Sequence, residues 1–453
     1  MSYFNYISDA CDGIRHHPHN EQLSILSTLY GGKGASLAVL SQSGIIVPRG
    51  TLINHALFDD WSKTSGLTSI IDQEFNGMDY DDQERLAAAC QVVREHIIEK
   101  GTHPSDLDDL TMYHMIGNAY THYAVRSSAI GEDGETASFA GQHESFLWTK
   151  KADVPAKVRE CWASLFTPSA LTYRHHLGLS PQSASMGVVV QQMVRAEIAG
   201  VAFTEDPTGI MLDPWAMIEA VHGVGDILVS GEVTPTLVAF NVDKVVEDYI
   251  TTNHINRTRE DVFIQPGNQN KYAFYDHDQQ MLVQRPTTPI RELSQYLIYA
   301  LANAISRIRM KYGVPMDIEW AYKDDQLWIL QARPLTIQRS PETERVIKEE
   351  GLVGQTASRG ITRGEAWVLN ESMNWPKDRP FILIAKMTKP EYLPAMLKAA
   401  GFATQSGGVT CHAAIVSREL GKPCVVGIPN LLSSVRTGMM VEVDGDNGTV
   451  RVL

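Results

Sequence analysis

The chain has 453 residues, 43% of them hydrophobic and 20% charged, and a net charge of −14. That balance fits a soluble globular protein of about two to four domains, and without a lysine- or arginine-rich block it excludes broad nucleic-acid binding. No apolar run reaches about 18 residues, the N-terminus MSYFNYISDACDG lacks a basic start and an apolar core, and the five cysteines (11, 90, 161, 411 and 424) show no CxxC spacing, so the expectation is a cytoplasmic chain with no membrane span, signal or disulfide framework.

Residues 23–50, LSILSTLYGGKGASLAVLSQSGIIVPRG, place a turn at Gly31-Gly32 before a helical run with a glycine stop, followed by strand-like IIVPRG. Lys33 reads either as an exposed loop lysine or as an ammonium reaching a phosphate that flanking glycines let the backbone approach; the spacing is not that of a Walker motif. Residues 52–120 are mostly helical by pattern, with breaks near Ser62–Thr68 and Gly101–Asp109, and read as scaffold. The histidine pairs at 16–17 and 175–176 lack partners at ligand spacing and are expected at the surface.

In YAVRSSAIGEDGETASFAGQHESFLW (123–148) a strand carrying Arg126 enters a loop rich in glycine and small residues, and a second strand begins. Such a loop closes over phosphates through its N–H groups with arginine in support, or it is a surface loop beside a salt-bridged arginine. MGVVVQQMVRAEIAGVAFTEDP (186–207) has the pattern of a hairpin, with Gln191 as polar lining. In MDIEWAYKDDQLWILQARPLTI (316–337) a three-residue loop Asp324-Asp325-Gln326 puts Glu319 opposite Gln331 and Asp317 opposite Arg333, all on one face. A carboxylate beside an amide oxygen suits Mg²⁺, and an arginine beside them steadies a phosphoryl group; a polar cross-strand network explains the same four residues.

Residues 338–350, QRSPETERVIKEE, have no apolar stripe and read as a linker. Strands then alternate with a helix as far as MVEVDGDNGTVRVL, forming a small α/β domain. Within it QSGGVTCHAAIVSRELGKPCVVG (405–427) sets His412 at the N-terminus of a short amphipathic helix that stops at Gly421, with the strand CVVGI following. An anion is favoured there, and imidazole is both a nucleophile near neutral pH and a phosphoryl carrier. Arg418, within two turns, is a candidate for phosphate oxygens. A histidine that merely caps a helix is the alternative.

These segments together resemble the phosphoenolpyruvate synthase and pyruvate phosphate dikinase family, and rifampicin phosphotransferases share the histidine. GG-x-T-x-H-A-A-I resembles the phosphohistidine motif, GGKG and AVRSSA…SFAGQ the nucleotide-loop motifs, and D-I-E-W-A…L-x-I-L-Q-x-R-P the metal and ATP motif. The resemblance implies an α/β (α+β) chain: an ATP-grasp-like nucleotide-binding domain at 1–337, a linker at 338–350 and a swivelling phosphohistidine domain at 351–453. It implies ATP contacts from Lys33, Arg126, Gly141, Ser145, Gln191 and Arg333, Mg²⁺ held by Glu319 and Gln331, and His412 as the residue phosphorylated. The E-A-x-x-G-x-G segment is looser: His222 stands where tryptophan is usual and Asp226 where glutamate is, while Glu219 keeps its place.

The expected activity is phosphotransfer from ATP, with AMP and phosphate as co-products, through His412. Relatives of this type continue into a pyruvate-binding barrel, and this resemblance ends with Leu453, so the acceptor is expected to be a small molecule or a separate acceptor-domain protein. A carrier subunit that leaves acceptor chemistry to a partner is the second expectation.

Overall fold

The computed structural model describes residues 3–100, 106–109, 122–131, 144–207, 215–252, 262–267, 269, 271–276, 281–335, 351–369, 375–376 and 379–453. Gly141 and the expected linker at 338–350 lie outside the described residues. The class is the α/β (α+β) one expected. The chain forms two compact units, Met1–Val194 with Ile329–Arg333, and Arg195–Trp328 with Pro334–Leu453.

The first unit is built on an antiparallel sheet of β1 (Phe4–Tyr6), β2 (Gly50–Ile53), β3 (His122–Ala129), β4 (Ser145–Lys150) and β5 (Met186–Gln192), in the order β1-β2-β5-β3-β4. Side chains alternate across it. Tyr123, Val125, Val188 and Val190 enter a core with the helices between residues 55 and 176, where Phe58, Trp61 and Trp162 meet. The described helices of the stretch read as scaffold supply Leu57, Ile71, Leu86 and Val93 to this core. Val189, one residue out of phase, packs with Leu26, Tyr30, Leu37 and Leu52 beneath the helix His19–Gln42.

Among the described residues, this helix alone is long and apolar enough to cross a membrane by length and composition. It is broken at Gly31 (φ 73°, ψ 174°), where the turn was expected, and residues 34–40 behind the break are buried. A Cβ on Gly31 would stand 2.2 Å from the Ser128 carbonyl oxygen. The strand expected from Ile45 begins only at Gly50.

The second unit carries a sheet in the order β13-β12-β6-β7-β8-β9, with β6 Ile198–Phe203, β7 Trp215–His222, β8 Thr236–Asn241, β9 Val262–Gln265, β12 Met316–Lys323 and β13 Gln326–Pro334. A separate antiparallel pair, β10 (Lys271–Asp276) and β11 (Met281–Pro286), lies between β9 and β12 in sequence. β13 gives Gln326–Trp328 to this unit, and its continuation Ile329–Arg333 belongs to the first, where Ile329 N donates to Ile46 O at 2.9 Å.

Two sequence expectations fail here. β5 and β6 are no hairpin: β5 pairs with β2 and β3, and β6 with β12 and β7. Both edges of each strand are taken, so Met193–Glu197 is a crossing between units and not a turn. The second correction is the loop after β12. Lys323 and Gln326 end their strands, leaving Asp324 and Asp325, both at positive φ (49° and 56°), as a two-residue turn. The three-residue register that placed Glu319 opposite Gln331 and Asp317 opposite Arg333 thus loses its premise.

The rest of the unit is an eight-stranded sheet, β14-β21-β20-β16-β17-β18-β19-β15. Its strands are β14 Leu352–Val353, β15 Gln355–Ser358, β16 Ile361–Val368, β17 Ile382–Ala385, β18 Gly401–Thr404, β19 Cys424–Val426, β20 Met440–Asp444 and β21 Thr449–Val452. β16 to β19 run parallel over a core of Ala366, Ile382, Ile384, Ala403 and Val425. Of the paired histidines, His16, His175 and His176 are exposed, as expected, and His17 is partly buried. Gly31→Ala should lower unfolding free energy by more than about 1 kcal/mol in urea titration, because positive φ and the Ser128 carbonyl both oppose a Cβ.

Candidate functional site

In open sheets with parallel strands, sites form on loops beyond the carboxyl ends of the strands. Beyond β17 comes Thr388; beyond β18 comes the turn 405–411, and then the helix His412–Leu420. That helix starts at His412 and ends on Gly421 in the left-handed region (φ 66°), as its sequence dictates. The imidazole is 7% exposed, and Nδ1 lies 2.9 Å from the Thr388 hydroxyl. Nε2 is buried without a hydrogen-bond partner among the described residues. With the proton on Nδ1 and donated to Thr388, Nε2 keeps its lone pair for a nucleophilic step. Burial pushes the pKa of His412 down to about 4, so the ring is neutral at pH 7.

The glycine pair has two separate tasks. Gly407 takes φ 110°, which turns the chain. Gly408 allows close approach, since a Cβ there would lie 2.1 Å from Oε1 of Glu219. Glu219, on β7, is fully buried and accepts hydrogen bonds from Val409 N (2.7 Å), Thr410 N (3.1 Å) and the Thr410 hydroxyl. Burial raises its pKa, against the pull of those donors. Burial also pushes the Cys411 thiol up to about 11, so it stays protonated beside the imidazole.

Glu319 pairs with Val201, and Val201 with Glu219, so the two carboxylates sit in one row across the sheet and share a face. Val409 packs on that face with Val201, Phe203 and Met217. Arg418, expected to hold phosphate, donates instead to the Ala357 carbonyl at 3.0 Å. Burial lowers its pKa, opposed first by the carboxylate of Asp317. Sequence reading missed Thr388 and took Thr410 only as part of the histidine motif, without its bond to Glu219. The signal for Thr388 was present, a threonine just past the parallel strand FILIA, but nothing local aims it at a histidine 24 residues away.

In the first unit Arg126 faces Ser145 on β4, and Gln191 pairs with Ala124, two residues along. All three therefore share the face covered by the helix His19–Gln42, where Gly34 N donates to the Ser128 hydroxyl and Lys33 begins the segment after the kink. The Arg126 guanidinium donates to the Leu330 carbonyl (3.0 Å) and to Gln331 Oε1 (2.8 Å), and Arg333 follows two residues on. Gln191 Nε2 is buried without a partner among the described residues, an open donor that suits an acceptor nitrogen of adenine. Lysine, arginine and this amide are a donor set that fits ATP. The metal reading fits less directly. Glu319 and Gln331 belong to different units, and the Gln331 oxygen already serves a cationic guanidinium. Among the described residues no group of three or more His, Cys, Asp or Glu side chains is arranged to hold a metal.

Residues 27–352 match the family model of the pyruvate phosphate dikinase AMP/ATP-binding domain, and residues 377–448 that of the PEP-utilising enzyme mobile domain. The chain is similar to a probable phosphoenolpyruvate synthase of Methanothermobacter thermautotrophicus, 37% identical over 438 residues, covering 93% of this chain and 61% of that protein. A probable phosphoenolpyruvate synthase of Archaeoglobus fulgidus is 37% identical over 439 residues, 93% of this chain and 56% of the relative. The phosphoenolpyruvate synthase of Pyrococcus furiosus is 34% identical over 471 residues, with coverage of 93% and 56%. The chain thus spans between 56% and 61% of the length of these relatives.

Because burial depresses the folded pKa of His412 from 6.5, its contribution to stability is present above pH 6.5 and is lost as pH falls toward 4. Proton NMR of the imidazole should show no titration step near pH 6.5, and a step at that value would mean that the ring is open to water.

Proposed function

Because the chain belongs to the pyruvate phosphate dikinase AMP/ATP-binding family, we propose that it is an ATP-dependent phosphotransferase with His412 as relay. The Nε2 lone pair attacks the β-phosphorus of ATP, and the bond from that phosphorus to the oxygen bridging the α-phosphate breaks. AMP leaves with the electron pair, and the histidine carries pyrophosphate. Water then attacks the terminal phosphorus, releasing inorganic phosphate and leaving phosphohistidine. An acceptor nucleophile, on a small molecule or a separate protein, takes the phosphoryl group and returns the lone pair to nitrogen. The relatives' name, phosphoenolpyruvate synthase, makes pyruvate the first acceptor to try.

Residues 1–337 bind ATP in this reading, 351–453 carry the histidine and 338–350 join the two. Lys33 and Arg126 hold phosphate oxygens, Arg333 steadies the group in transit, Gln191 donates to the adenine, and Gly141 and Ser145 belong to the loop over the phosphates. Magnesium supplies charge neutralisation when bound with the nucleotide. The family motif, rather than the geometry, assigns it to Glu319 and Gln331. Arg126 then exchanges the Gln331 oxygen for phosphate.

The observation that carries the reading is the imidazole itself: neutral, fixed through Nδ1, its other nitrogen without a hydrogen-bond partner among the described residues, at a helix N-terminus. ATP labelled at the β-phosphate should leave acid-labile label on the wild type and none on His412→Ala, with AMP as the nucleotide product. ADP as the end product, or label retained by His412→Ala, overturns the relay. Net ATP consumption with pyruvate separates a complete transferase from a carrier that stops at one labelled histidine.

A further inference from the structure

The resemblance keeps Glu219 in its place without giving it a role, and in the structure its carboxylate is occupied. Both oxygens are engaged, Oε1 by Val409 N and Oε2 by the Thr410 amide and hydroxyl. The loop comes to it so closely that a side chain at Gly408 would overlap Oε1. Val409 seals the contact in a cluster with Val201, Phe203, Met217 and Val233. On the other side of the ring Thr388 holds Nδ1. His412 therefore hangs between two fixed points, the Thr388 hydroxyl and a turn two residues upstream that is clamped by a buried acid.

Resting on the phosphohistidine reading, we propose that Glu219 is a positioning residue: it clamps the Val409–Thr410 turn, fixes the His412 imidazole for attack, and must release that turn for the histidine domain to move. The three donors reach one carboxylate, so losing them together leaves a buried charge unsatisfied. Such a contact opens as a unit rather than by degrees. A catalytic group displaced by about 1 Å costs on the order of 10²-fold in rate, which sets the scale of the effect expected.

Glu219→Gln keeps the shape but turns an amide donor toward the backbone donors, and Thr410→Val removes only the hydroxyl. At saturating ATP, Glu219→Gln should slow phosphohistidine formation at least about tenfold while the calorimetric Kd for ATP stays within about twofold. Thr410→Val should slow it less, and the double variant should be no slower than Glu219→Gln alone, because the two changes break one contact. Hydrogen exchange at the Val409 and Thr410 amides should accelerate at least about tenfold in Glu219→Gln, with β17 and β18 still protected. A weakened ATP Kd with the rate restored at saturation overturns the proposal in favour of a nucleotide ligand; wild-type rates or additive losses overturn it as well. Should Glu219→Gln not fold, Thr410→Val decides by the same rate and affinity criteria. Failure of the relay reading looks different: the wild type itself takes no acid-labile label, and the exchange measurement still tests the clamp.

Discussion

A carboxylate cut off from water has to find its donors inside the protein, and among the described residues Glu219 finds its hydrogen-bond donors in the turn that leads to His412. The acid sits mid-strand on β7, with β6 and β8 on either side, so it cannot move without its sheet. The turn has to come to the acid. Gly408 makes that approach possible, and Gly407 sets its direction through a backbone conformation open to glycine. The helix start, and with it the imidazole, is placed by what those two glycines permit.

The environment of His412 follows from the same burial. Removing water from the ring holds it neutral, with a lone pair on one nitrogen, and removing water from Cys411 keeps that thiol from ionising to the more nucleophilic thiolate near neutral pH. The helix N-terminus beside it is a place where an anion is favoured. In the first unit Arg126 donates to the Leu330 carbonyl and to the side-chain oxygen of Gln331, which ties β3 to the segment Ile329–Arg333 of the same unit.

Local pattern was a sound guide wherever the signal and the structure have the same range. The break at Gly31, the helix His412–Leu420, its stop at Gly421 and the strand after it all depend on residues a few positions apart. The two hairpin errors differ in cause. β5 and β6 look like a hairpin because both are apolar and close in sequence, but pairing is decided by which other strands fill their edges. The turn at Asp324-Asp325 has two residues because both aspartates tolerate positive φ, and that one-residue difference removes the premise of an inferred cross-strand pairing.

Motif chemistry was thus set by the order of residues: a histidine after two glycines at a helix start, a lysine between glycines, an arginine entering a glycine-rich loop. Those are short-range facts, fixed by backbone sterics and the few side chains able to carry phosphate. Which groups hold them is a long-range matter. Thr388 at Nδ1 and Glu219 beneath Thr410 lie 24 and 191 residues from their partners, and packing alone brings them within hydrogen-bond reach.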